Sequence, residues 1–178
     1  RAERPRRNPW AVFAVVADVV VVVGGLSAVA LQRWLDRSLV TIPETVAGLP
    51  RSSDPELIRI TQGMRESFQR DPKYAASRFE TVPYEGGGTV SYVILVPGGY
   101  EIGEDALASI AATTAEVEYG APFRTGDAHC IVGTSDQGTE SFCYTDRTDF
   151  TVVAITFPDD ASATTGVRVV QDGLAAQR

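Results

Sequence analysis

Residues 128–157 read AHCIVGTSDQGTESFCYTDRTDFTVVAITF, and this stretch decides the fold. Three runs rich in β-branched and aromatic residues, 128–134, 140–145 and 150–157, are separated by the turn-forming tetrads SDQG and DRTD. Short strands joined by tight turns predict antiparallel pairing. A hairpin centred on Asp136-Gln137-Gly138 makes residues whose numbers sum to about 273 face each other, and Cys130 and Cys143 satisfy that sum. Opposed Cα atoms in a hairpin lie ~4.5–5.5 Å apart, within disulfide reach. Working outward, 78–84 predicts a short strand, and 89–96 (TVSYVILV) a nearly continuous apolar one that belongs at the centre of the sheet. A helix is predicted over 54–70, with Asp54 as cap, Pro55 in the first turn and Glu56 complementing the dipole. Its stripe of Leu57, Ile60, Met64 and Phe68 predicts core packing. Further helices are predicted over 104–115 and from Pro158-Asp159-Asp160 to about residue 176, with a short strand near 116–119. The order α-β-β-α-(β)-β-β-β-α predicts an α+β domain, a mainly antiparallel sheet packed by two or three helices.

The charge is distributed unevenly. Residues 1–37 carry six Arg against Glu3, Asp18 and Asp36, a balance of +3, whereas 38–178 carry ten basic and twenty acidic side chains, a balance of −10. An acidic domain without an aromatic-and-Arg stripe repels phosphate backbones, which argues against a nucleic-acid partner. Lys73 is the only lysine and Asn8 the only asparagine, a bias that suggests a high-GC genome.

Residues 10–31 read WAVFAVVADVVVVVGGLSAVAL and contain one charge, Asp18. At 1.5 Å per helical residue this length covers a ~30 Å hydrocarbon core. Arg1, Arg4, Arg6 and Arg7 precede the run and Arg33 and Arg37 follow it, so the excess of Arg on the N-terminal side predicts a cytoplasmic N-terminus. Trp10 and Trp34 suit the two interfaces. The competing reading is a secretory leader cleaved after Ala28-Val29-Ala30, but the apolar run is long for a leader. The expected division is a cytoplasmic basic segment (1–9), a transmembrane helix (10–31), a Pro- and Gly-broken stalk (32–53) and an extracytoplasmic domain (54–178). In that oxidising space Cys130 and Cys143 read as a disulfide. Within the helix, Ala11, Ala14, Asp18, Val21, Gly25 and Ala28 recur at 3-4 spacing along one face. Small residues allow close helix approach, and a mid-membrane carboxylate, which costs ~2.5–3.5 kcal/mol to insert, finds its donor across such an interface. This stripe is the expected docking face for another integral membrane protein, the lipid bilayer being the other partner.

Candidate chemistry is sparse. Gly98-x-x-x-x-Gly103 has the outline of half a phosphate loop, but Glu104 and Asp105 stand where Lys and Ser/Thr are needed, so a strand-to-helix turn is expected. His129 lies beside Asp127 and Cys130, yet strand alternation points Cys130 to the opposite face, and a closed zinc site needs four ligands. No G-x-S-x-G turn and no calcium-loop spacing occurs, and Glu116 and Glu118 read as a solvated strand face. No catalytic, cofactor or metal site is therefore expected.

The stalk Ile42-Pro43-Glu44-Thr45-Val46-Ala47-Gly48-Leu49-Pro50, with the segments Gly126-Asp127-Ala128-His129-Cys130 and Cys143-Tyr144-Thr145-Asp146, resembles uncharacterised actinobacterial single-pass membrane-anchored proteins with a C-terminal disulfide hairpin. The resemblance covers about residues 40–160. Tyr144 stands close to where that pattern has Trp, and the resemblance implies no activity. The leading expectation is a non-catalytic accessory or assembly subunit of a larger membrane complex. A tethered ligand-binding or sensory module would need a partly apolar pocket between sheet and helices. An extracytoplasmic enzyme would need converging polar groups that the sequence does not offer.

Overall fold

A computed structural model describes residues 40–70, 79–97, 107–108, 111, 117–145 and 147–177. The chain divides into two units, Arg1–Ser38 and Leu39–Arg178, and the described residues all belong to the second. The predicted span 10–31, with its stripe Ala11, Ala14, Asp18, Val21, Gly25 and Ala28, lies outside them. Among the described residues, no helix is long and apolar enough to cross a membrane.

Unit 2 is an α+β domain in which, among the described residues, every ladder is antiparallel. The strands are β1 (Thr45–Val46), β2 (Leu49–Pro50), β3 (Glu80–Gly86), β4 (Thr89–Pro97), β5 (Glu118–Tyr119), β6 (Phe123–Thr125), β7 (Ala128–Ser135), β8 (Gly138–Thr145) and β9 (Phe150–Phe157). The helices are α1 (Pro55–Arg70) and α2 (Thr164–Ala175). The main sheet runs β3-β4-β9-β8-β7-β5, with β6 also on β7, and β1-β2 form a separate hairpin. The central strands β4 and β9 are the two most continuous apolar runs. Both of their faces are covered, so neither needs a polar side. Val93, Leu95, Cys130, Cys143, Val152 and Ala154 share the core with Val167, Val170 and Leu174 of α2. On the other face Ile94, Ile131, Tyr144 and Val153 pack with Phe79 and Leu107. Leu107, Ala108 and Ala111 are helical; the rest of the helix expected over 104–115 lies outside the described residues.

The predicted register of the cysteine hairpin holds. Cys130 pairs with Cys143 across β7-β8 and the two are disulfide-bonded, with Cα atoms 4.2 Å apart and both residues fully buried. Asp54 caps α1, its carboxylate accepting the Glu56 amide at 2.7 Å.

Three expectations are corrected. First, residues 40–53 are not a stalk. β1 and β2 fold into a two-residue hairpin around Ala47 and Gly48, both at positive φ, as a turn matching strand twist requires. Val46 and Leu49 enter the core. The Tyr84 hydroxyl donates to the Pro43 carbonyl at 2.8 Å, and the Ser52 amide donates to the Pro83 carbonyl at 2.9 Å. Gln177 clamps Thr41 from both sides, its Oε1 accepting the Thr41 amide and its Nε2 donating to the Thr41 carbonyl. The prolines and glycine that break a helical period here shape a strap. Second, the expected stripe on α1 needs one change: Leu57 and Met64 are half-buried as expected, but Thr61 takes the inward place expected of Ile60. Thr61 is buried and Ile60 is exposed. Thr61 Oγ1 donates to the Ile58 carbonyl, which lets a hydroxyl sit inside, while its own carbonyl accepts from Thr81 Oγ1 on β3. Third, the last helix begins at Thr164, because Asp159 and Asp160 form the turn that caps it rather than its first residues.

Two outcomes follow from this packing. Burial pushes the Tyr84 phenol up to about 12 from its ordinary 10, only partly offset by the Arg51 guanidinium. A raised phenol contributes stability that is full below its unfolded pKa of ~10 and is lost as pH rises through the folded value. Urea midpoints should therefore fall as pH rises from ~10 to about 12, and Tyr84→Phe should flatten that slope. The cysteines are 13 residues apart in sequence, so opening the loop with Cys130→Ser/Cys143→Ser should cost ~3 kcal/mol, read as a lower denaturation midpoint with an m-value no smaller than the wild type's, since the unfolded chain is released.

Candidate functional site

Polar groups buried in the core come in bonded pairs. Ser91, Thr156 and Ser141 lie in one row across β4, β9 and β8. The Ser91 and Thr156 hydroxyls are 2.8 Å apart, and Ser141 Oγ donates to Asp159 Oδ2 at 2.6 Å. Asp159 also accepts the Thr165 and Gly166 amides at 3.1 and 2.8 Å, and Asp160 accepts the Thr164 amide at 3.1 Å. These carboxylates satisfy the amides that a helix N-terminus leaves unpaired. The Thr164 amide and hydroxyl hold the Asp160 carboxyl below its usual value. A Ser–Asp pair engaged in this way caps the helix.

His129 stacks on Tyr144, ring centroids 5.0 Å apart and nearly parallel, on the face opposite Cys130, as strand alternation requires. Among the described residues no three His, Cys, Asp or Glu side chains converge as a metal site. Glu118 is exposed on β5, while Glu116 and the Gly98–Gly103 loop lie outside the described residues.

One concave feature is built at the far end of the β7-β8 hairpin. Gly133 on β7 has no side chain, and an added Cβ would run into Val117 and into the Tyr119 ring at 2.8 Å. Tyr119 therefore lies across the strand, and its hydroxyl donates to the carboxylate of Glu140, the residue opposite Gly133 on β8. Ser141 pairs with Thr156, so Glu140 and Phe157 are the next residues on the two strands. A pocket of about 280 Å³ opens here, lined by Val117, Phe157 and the turn 135–140. Phe157 is 39% exposed, a large apolar residue left at the pocket wall. Ser135 braces the turn, its hydroxyl accepting the Gln137 amide at 3.2 Å. The pocket lies at a hairpin end, not between sheet and helices where a tethered binding module would be expected to carry it. Sequence reasoning passed over Tyr119, Glu140 and Phe157. The available signal was Gly133, since a glycine inside a strand marks close approach by another group.

No protein family, curated protein or solved structure matches the chain, so its fold and site stand on their own geometry.

Proposed function

We propose that the chain is a non-catalytic accessory or assembly subunit anchored in the cell membrane, with unit 2 held outside the cytoplasm and residues 10–31 docked on a larger membrane protein. The observation that carries this reading is the buried Cys130–Cys143 bridge in a domain that follows an apolar segment flanked by Arg. Disulfides persist in oxidising compartments, and an excess of Arg before a span keeps that end in the cytoplasm. The engagement of Ser91, Thr156, Ser141 and Asp159 with one another supports a structural rather than catalytic use of the core. A second reading, a tethered ligand-binding module of the cell envelope, is favoured by the pocket beside Phe157.

The test is affinity purification of the full chain in mild detergent, with mass spectrometry of what accompanies it. A stoichiometric integral membrane protein is expected with the wild type. Asp18→Leu should insert at least as well, since it removes a ~2.5–3.5 kcal/mol penalty, and lose that companion. Recovery of the same companion with Asp18→Leu would overturn the assigned face. Recovery of the chain alone would overturn the docking reading.

A further inference from the structure

We infer that the pocket between Phe157 and the 135–140 turn is a saccharide-binding site, a role beyond membrane docking. The pocket's size, about 280 Å³, is at the lower end of small-ligand clefts. The residues at its wall pair the exposed Phe157 with two acids, Asp136 and Glu140, and with the polar Gln137 and Thr139. Two carboxylates repel a phosphorylated or carboxylated ligand. A purely apolar ligand would cover Val117 and Phe157 but leave the polar residues of the turn without water or partners. A simple cation would use the carboxylates and the ring but offer nothing to the donors on Gln137 and Thr139. A sugar meets every part of this wall. Its C–H face covers the Phe157 ring, and closely spaced hydroxyls both donate to carboxylates and accept from amide and hydroxyl donors.

The site is also held in place before any ligand arrives. Tyr119, laid flat over Gly133, fixes the Glu140 carboxylate through its hydroxyl, and Ser135 fixes the turn that carries Gln137. Groups held by packing and hydrogen bonds lose little freedom on binding, which raises the affinity of a small hydrophilic ligand.

The experiment is calorimetric and ligand-observed NMR titration of the full chain in a sugar-free zwitterionic detergent. The probes are cellobiose, maltose and diacetylchitobiose, with ethanolamine as the cationic control. At least one disaccharide is expected to bind with millimolar or better Kd. Phe157→Ala and Gln137→Ala should each weaken it roughly tenfold, with circular dichroism unchanged. Gln137 lies on an exposed turn, so its variant reports binding even if Phe157→Ala perturbs the strand end. Three results would each overturn the assignment: no response to any disaccharide, undiminished binding by a folded Gln137→Ala, or ethanolamine binding as tightly as the best sugar.

Discussion

The close seating of α2 on the disulfide-bearing face of the sheet is the constraint on which the rest of the domain depends. Gly166 and Gly173, two helical turns apart, make it possible. A Cβ on Gly166 would collide with Ser141 Oγ and approach Cys143 Sγ at 3.1 Å, and one on Gly173 would meet Val152 Cγ1 at 2.9 Å. The helix thus rests directly on β8 and β9, and its N-terminal amides reach the Asp159 carboxylate that Ser141 also holds. The bridge from Cys143 to Cys130 ties the strand under the helix to its neighbour β7. At the other end, Asp172 takes the Ala47 amide at 2.7 Å and Gln177 takes Thr41, so the same helix fastens the strap. One packing event fixes cap, core and strap together.

That arrangement explains how a small domain covers both faces of its sheet. Residues 40–52 close the outer side of β3, where Arg51 bridges Tyr84, and Pro83 removes an edge donor. On the opposite edge, β5 and β6 are short and separated by Pro122. Both edges are blunted against strand addition.

The sheet was largely legible in the sequence because its strands announce themselves by composition and its turns by Asp, Gly and Ser. The cysteine pair, the strand at 89–97 and the Asp54 cap are direct consequences of local chemistry. What escaped notice depends on distant contacts. A strap containing Pro43, Gly48 and Pro50 looks like a linker until Tyr84, Asp172 and Gln177 take up its backbone groups. On α1, Thr61 takes the inward place expected of Ile60 because it hides its hydroxyl in its own helix, a local solution that a count of apolar residues does not register. The pocket was hidden for the same reason: Tyr119 and Glu140 are twenty-one residues apart in sequence and meet only across Gly133.

The proposed function requires the Cys130–Cys143 bridge to be formed in cells. Its most direct measurement is maleimide labelling of the denatured chain taken from intact cells, with and without prior reduction. Both cysteines should react only after reductant. Labelling of Cys130 and Cys143 without it would contradict the compartment and the function proposed from it.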